Sequence, residues 1–442
     1  MASLRSSRSL SRSRALELAE RQYVTRILVS SSTFPLDLSD TLPRFVYDLA
    51  NALTAHGEVC ALVPDAPGVP RETRLGGVEV RRFRYFVPRR LQVLAYGHGM
   101  ADNLRRHPLA WLQTPLYVTA LARATRRLAT ARGIEVVNSH WIVPQGLAVA
   151  WARGRRPRFR HVLSVHAGDV FMLAKLPFGR RLARYVLDRS DAVFADGSHV
   201  SARLESLAGR PIGAEIQPMG AHLELFRNAP PRPADDPDFP SGYLLFFGRL
   251  SEKKGVVYLL RALPRVLQRH PGLGLVVVGY GALEESLRRE VARLGLESKV
   301  RFVGPKTHEE IASYLASCRL SVVPSIVDRH GDTEGMPTVV IEAMAAGVGV
   351  VASAVDGIPD VISHQRNGWL CREKDPEDLA DKICHALVAV DDPAVRREIT
   401  ATAERHSWRR VAARYALAFS GEGAPGSGSP AESDTRVDAV WR

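Results

Sequence analysis

Long hydrophobic runs are absent: nowhere in the 442 residues do about 18 apolar residues follow one another, so no segment reads as a membrane-spanning helix. Cysteine is scarce. Cys60, Cys318, Cys371 and Cys384 form no C-x-x-C pair and have no histidine cluster beside them, which speaks against a zinc site and against a disulfide framework, and suits a reducing cytosol. Acidic residues are thin in the first half. Residues 1–230 hold 33 Lys+Arg against 18 Asp+Glu, a balance of +15, whereas residues 231–442 hold 27 against 29, a balance of −2. A face of that charge could meet nucleic acid, anionic lipid or a phosphorylated acceptor. An arginine-rich surface inherited from a GC-rich genome explains the same clusters at 81–90, 123–127 and 153–160. Residues 1–22 lack the apolar stretch of a secretory signal and carry no acid before Glu17, so they read as a disordered Ser/Arg-rich extension.

What is present is alternation. A chain of this length exceeds what one hydrophobic core supports, and two domains are expected. Short apolar runs at 25–32, 58–63, 78–83, 134–140, 161–166, 192–195 and 215–217 are separated by helical patterns, the mark of a parallel sheet flanked by helices. This predicts a first Rossmann-like domain over 23–220. The proline-rich stretch A-P-P-R-P-A-D-D-P-D-F-P denies helix and central strand alike, so 221–241 reads as a linker. A second series, with strands at 243–247, 273–278, 300–303, 320–323 and 350–352 and helices at 256–269, 283–294, 309–316, 338–346 and 376–390, predicts a second Rossmann-like domain over 242–406. A helix at 407–420 is expected to pack back on the first domain, and the Gly/Ser/Pro/Glu-rich 421–442 reads as a disordered tail.

The densest stretch is 332–347, D-T-E-G-M-P-T-V-V-I-E-A-M-A-A-G. An apolar run ending in Pro324-Ser325 precedes it, and helix-forming residues resume at Val339 with Pro337 near the first turn. A helix N-terminus there offers unpaired N–H groups to phosphate, and Gly335 lets backbone approach a ligand. Glu334 before the helix and Glu342 within it could meet the two ends of a ligand carrying phosphate in its middle, the shape of a nucleotide sugar. Two glutamates at this spacing also arise by chance, as a loop acid and a surface acid. Gly248, Arg249 and Lys254, in G-R-L-S-E-K-K-G, follow the first strand of the second domain, where an Arg fork and a Lys point charge suit a diphosphate. Gly279 and Gly281 form a G-x-G strand-to-helix turn without a third glycine, a weak signal alone. His166 and Asp169 end a strand of the first domain in H-A-G-D, and His140 opens H-W-I-V-P-Q-G.

Taken together, G-R-x4-K-G, E-G-M-P with E-x7-E, and H-x-G-D resemble the donor-binding segments of the retaining glycosyltransferases of family 4. The likeness spans roughly 25–420 and is strongest over 243–375. It implies the GT-B fold, an α/β architecture of two Rossmann-like domains with parallel sheets facing across a cleft. It further implies that His166, Arg249, Lys254 and Glu334 are catalytic. Gly248, Gly279, Gly281, Val303, Gly304, Pro305, Lys306, Gly335, Met336, Pro337, Thr338 and Glu342 would line the donor pocket. The sequence departs from the family where a paired-glycine loop usually follows the first strand: Ser39-Asp40-Thr41 stands there, which makes Asp40 and Arg44, with His140 and Asp169, candidates for the acceptor side. His140 reads equally well as a core histidine. Ala167 replaces a glycine, and Gly349 stands where a proline is usual.

The expected reaction moves a sugar with retention from a nucleoside-diphosphate sugar, a UDP-sugar being expected, to an acceptor hydroxyl in bacterial glycan, glycolipid or glycoside biosynthesis. The donor is a substrate, and no cofactor or metal is required; the acidic D-D-P-D at 235–238 sits in the linker and reads as solvated. Expected partners are the nucleotide sugar and a glycan, lipid-linked or small-molecule acceptor. No nucleic acid is expected, and an anionic membrane surface stays open for an otherwise cytoplasmic protein. The rivals are an epimerase or phosphorylase on the same fold, or a nonenzymatic lipid or nucleic-acid binder that would leave the donor motifs idle.

Overall fold

The computed structural model describes residues 25–37, 44–95, 99–154, 158–231, 239, 241–329, 331 and 335–421. Eight strands build the first sheet: β1 (Thr25–Ser30), β2 (Gly57–Pro64), β3 (Glu72–Leu75), β4 (Val78–Phe83), β5 (Val136–His140), β6 (Arg160–Val165), β7 (Ala192–Ala195) and β8 (Glu215–Ile216), in the order β3-β4-β2-β1-β5-β6-β7-β8. All pairings are parallel except that of β3 with β4. The second sheet holds β9 (Tyr243–Phe247), β10 (Gly274–Val278), β11 (Val300–Gly304), β12 (Leu320–Val323), β13 (Val350–Ser353) and β14 (Trp369–Cys371) in the order β11-β10-β9-β12-β13-β14, all parallel.

Helices cover both faces of these sheets, so central strands bury side chains on each side. Every residue of β10 and β12 is buried, which is why Leu-Val-Val-Val reads as a continuous apolar run. Chain order reverses between β9 and β12 in the second sheet and between β1 and β5 in the first. Crevices therefore open at the carboxyl ends of those strand pairs. The edge strands β3 and β14 carried too little pattern to be expected: E-T-R-L is polar, and W-L-C is three residues long.

Parts of the 221–241 linker pack into the second domain. Leu223 and Phe226, three apart, form the buried face of a short helix Leu223–Arg227 and join the second domain's core with Phe239. Within it the run 232–238, including the D-D-P-D acids, lies outside the described residues, as do 1–24 and 422–442. The chain crosses between domains twice at one place, where the Ala221 N–H donates to His406 O at 3.0 Å and Ala221 bridges Ser407. Trp408 packs hard against Gly220 there: a Cβ on that glycine would lie 2.7 Å from the indole. From this crossing the helix Trp408–Ser420 runs over the first sheet and buries Val411, Ala412, Tyr415, Ala418 and Phe419 with Ile27, Val29 and Phe194. Tyr415 stacks on Phe194 with centroids 4.0 Å apart.

Candidate active site

Three loops meet at the carboxyl ends of β9, β10 and β12 so closely that only glycine fits. Gly279 sits at φ +133°, and a Cβ there would fall 1.9 Å from Gly248 O. A Cβ on Gly255, at φ +64°, would fall 1.8 Å from Pro324 O. Ladder-like bonds tie the loops together, with Gly248 N donating to Val278 O at 3.0 Å and Gly279 N to Gly304 O at 2.9 Å. The one-turn helix Glu252–Lys254 projects from this platform, and the Lys254 side chain passes over Gly248. Arg249 next to it is exposed.

Glu342 lies on the helix Thr338–Ala345, whose N-terminus follows Gly335, Met336 and Pro337. Burial raises the pKa of its carboxyl, while His308, a hydrogen bond from Thr338, Lys254 and His222 pull it down. The structure thus brings Gly248, Lys254, Gly279, Gly281, Gly304, Thr338 and Glu342 into one neighbourhood. Lys306 points elsewhere: its Nζ pairs with Glu310 at 3.0 Å on the next helix. The pair engages the side chain alone and leaves the Lys306 backbone at the strand end that 303–306 shares. Val303 and Pro305 flank Gly304 at the end of β11. Glu334 lies outside the described residues, as does Asp40.

On the first domain's side, His166 follows β6 and is 8% exposed. Its Nε2 stands 3.2 Å from His140 Nδ1, its Nδ1 stands 3.4 Å from Asp196 Oδ2, and the Phe45 and Trp141 rings lie 5.2 and 5.3 Å from its own. Trp141 is held at φ +70°, a conformation that costs a large side chain roughly 1–3 kcal/mol and clusters at functional sites. Two acceptor-side expectations are corrected. His140 is fully buried, with burial and then His166 holding its pKa well below the usual histidine value. Asp169 is 4% exposed and serves the backbone, accepting from the His166 N–H at 2.9 Å and from Ile142 N–H; burial raises its pKa to about 6. Neither can touch an acceptor in this conformation. Both support His166.

Arg44 faces the domain boundary, 3.9 Å from Asp48, and its charge helps to hold down the pKa of Glu309, after hydrogen bonds from that residue's own N–H and Thr307. His222 pairs with Asp48 at 3.0 Å. The domains also meet beyond β7: Ser198 N donates to Asp360 Oδ2 at 2.7 Å, and a Cβ on Gly335 would fall 2.2 Å from Asp196. Asp196, Trp141, His222 and His308 were not foreseen. Asp196-Gly197 closes an apolar strand as His166 does, a signal of the same kind. A cavity of about 500 Å³ lined by Ser251, Tyr258, Arg261, Leu287 and Arg329 opens beside the Lys254 turn and contains none of the expected donor residues. Among the described residues no group of three His, Cys, Asp or Glu could hold a metal ion, and no helix is long and apolar enough to cross a membrane.

Two parallel-sheet domains, closing on a glycine platform that carries a lysine turn and a helix N-terminus, define a GT-B fold. Residues 236–405 match the family described as glycosyl transferases group 1, and residues 42–220 match the glycosyl transferase 4-like domain. A GDP-mannose-dependent alpha-(1-6)-phosphatidylinositol monomannoside mannosyltransferase of Mycobacterium tuberculosis is 30% identical over 311 residues, covering 68% of this chain and 79% of that one. The amylovoran biosynthesis glycosyltransferase AmsK of Erwinia amylovora is 41% identical over 138 residues, only 31% of this chain and 34% of that one. Sucrose-phosphate synthase from Thermosynechococcus elongatus shares the fold with a TM-score of 0.68 at 20% identity, covering 91% of this chain and all of that one. Anabaena HepE in complex with UDP does so with 0.62 at 18%, covering 90% and 100%. The chain belongs to the group 1 glycosyltransferases of family 4, enzymes that use a nucleotide-sugar donor.

Proposed function

We propose that the enzyme transfers a sugar with retention of configuration from a UDP-sugar to an acceptor hydroxyl, without a metal ion, in bacterial glycan, glycolipid or glycoside synthesis. The observation that carries this is the meeting of Lys254, the glycine platform and Glu342 at the switch point of the second sheet. Lys254 and Arg249, with the N–H groups of the helix Thr338–Ala345, stabilise the charge that grows on the departing diphosphate. Glu342 accepts from the ribose hydroxyls. His166 and Glu334 orient the sugar, and the leaving diphosphate takes the acceptor proton on the same face. A second reading, GDP-mannose as donor, is favoured by the mannosyltransferase whose similarity spans 68% of this chain. Calorimetric titration with UDP and with GDP separates the two bases, and the anomeric configuration of the product tests retention. Transfer that collapses in EDTA and returns with Mn²⁺ refutes the metal-free step.

We further propose that the acceptor is met at an anionic membrane surface. Val87, Trp111 and Leu112 are 74%, 60% and 62% exposed, with Leu91 and Leu116 also in water, and the exposed Arg123 and Arg127 lie on the same helix, Pro108–Arg132. Apolar side chains beside arginines fit a lipid interface carrying acidic headgroups.

A further inference from the structure

Three arginines that line one cavity of the first domain have no counter-charge. The cavity, of about 430 Å³, lies between the helices Ala167–Lys175, Gly179–Leu187 and Ser198–Ala208, and its wall includes Phe178, Arg180, Arg181, Arg203, Ser206 and Leu207. No carboxylate lines it, and among the described residues none of the three arginines forms an ion pair. The acids on or next to these helices are engaged elsewhere. Asp169 serves the backbone of His166 and Ile142, Asp188 pairs with Arg210 at 2.7 Å, and Glu205 accepts from the Ile212 N–H at 3.0 Å. The cavity beside the Lys254 turn shows the contrast: there Arg261 pairs with Glu290 at 2.7 Å and Arg329 with Glu252 at 3.3 Å.

Local rules run against this placement. Arg180 and Arg181 stand in the first turn of the helix Gly179–Leu187, which has neither an acid nor a side-chain cap at that end. The positive end of a helix dipole favours carboxylates there and disfavours cations, and Arg203 adds a third like charge from the facing helix. All three side chains are exposed, so packing does not require them. The Arg181 Cζ lies 6.0 Å from the Phe178 ring and the Arg203 Cζ 6.0 Å from the Phe171 ring, contacts that steady the guanidinium groups without neutralising them. Charges placed against a local preference, with no compensating contact, are expected at functional sites.

We propose that this cavity binds the phosphate of a polyol phosphate ester, at a site separate from the donor cleft. The guanidinium forks chelate the phosphate oxygens, and the Ser206 hydroxyl is a further donor. The Phe178 ring, 62% exposed, and Leu207 give the carbon part of the ligand an apolar surface. A bound phosphate supplies the negative charge that the helix N-terminus lacks. The first domain alone builds this site, whereas the second builds the donor platform. Ala174, at the cavity, follows His166 by eight residues, roughly 12 Å along the helix axis.

The test keeps the donor cleft filled with UDP and titrates the full chain into glycerol 3-phosphate, followed by ³¹P line broadening. A parallel titration uses dihexanoyl phosphatidylglycerol below its micellar concentration. Saturable binding is expected, and its preference for the first or the second probe assigns the site to a soluble phosphate ester or to a lipid headgroup. Arg181→Gln with Arg203→Gln, one from each wall, should weaken binding at least about tenfold, the worth of one charge-assisted hydrogen bond. Without ligand this variant should melt no lower than the wild type, since it removes uncompensated cations. Arg409→Gln with Arg410→Gln, on the helix that packs against the opposite face of the same sheet, should change binding less than about twofold. Absence of saturable binding by both probes overturns the proposal. Equal weakening by the two variants overturns it too, reducing the effect to general surface charge. A clearly lower melting temperature for Arg181→Gln with Arg203→Gln assigns these arginines to the fold and overturns it as well.

Discussion

Replacing Glu342 by Gln should weaken nucleotide binding and at the same time relieve the empty enzyme. The carboxyl is desolvated, and that burial raises its pKa above the ordinary glutamate range. The folded chain then binds this proton more tightly than the unfolded chain, so Glu342 lowers stability progressively as pH rises from the ordinary glutamate range through the raised value. Gln carries no such dependence. The ligand-free variant should therefore melt at least as high as the wild type at pH 8, with the advantage shrinking as pH falls toward 5. Binding moves the other way. A hydroxyl donating to an ionised carboxylate gains ~1.5–3 kcal/mol against ~0.5–1.5 for a neutral acceptor, so exchanging one for the other should cost about 1–2.5 kcal/mol, roughly 5- to 70-fold in Kd. Titration calorimetry with UDP and GDP at pH 7.5, beside melting curves from pH 5 to 9, reads both effects. An unchanged Kd, or a lower melting temperature at pH 8, refutes the assignment of this carboxylate to the ribose.

Lys254→Ala should lower kcat/KM by about 2–4 kcal/mol, roughly 30- to 1,000-fold, as expected for one lost preorganised cation, and wild-type turnover in that variant removes the lysine from the diphosphate. Gly279→Ala places a β-carbon 1.9 Å from Gly248 O at φ +133°, so a loss of at least about 2 kcal/mol in stability and impaired nucleotide binding should appear in urea titrations with and without UDP. Flotation with vesicles containing anionic lipid should carry the wild type at low salt and release it as salt rises, each arginine being worth about 1 kcal/mol. Trp111→Ala with Leu112→Ala, and Arg123→Glu with Arg127→Glu, should each weaken flotation. Wild-type chains that stay with the buffer return this face to ordinary surface.

Charge shows where linear reading misleads. Arginines crowd the sequence at 81–90, yet Arg81 pairs with Glu72 and Glu79, Arg84 and Arg89 with the buried Asp65, and Arg82 is itself buried. Arg153 pairs with Asp191, and Arg126 is bound to the carbonyls of Trp151 and Ala152. Arg155 and Arg156 lie outside the described residues. The local arginine clusters are thus largely paired with carboxylates and carbonyls of the same domain, and the +15 balance is carried elsewhere on it. What faces water as an interface candidate is the apolar and basic helix surface around Trp111 and Leu112.

The sequence by itself determined the two parallel sheets and the loops that carry the donor motifs. Buried strands of such sheets must be apolar throughout, and glycines must stand wherever backbones meet, so Y-L-L-F-F-G, L-V-V-V-G-Y-G and V-V-P-S announce both strand and turn. Glu342 was legible for the same reason, since its helix follows a proline and a glycine in register. Only the tertiary structure decided which of the conspicuous polar residues face the cleft. His140 and Asp169 have the chemistry of a site but are buried behind His166, because β5 and β6 lie side by side and the helix after His166 needs a carboxylate at its N-terminus. Asp196 carries no motif and comes to His166 because β7 is the next strand in the sheet and the second domain closes on its end. Strand adjacency and domain closure follow from pairing over long sequence separations, and local spacing cannot encode them.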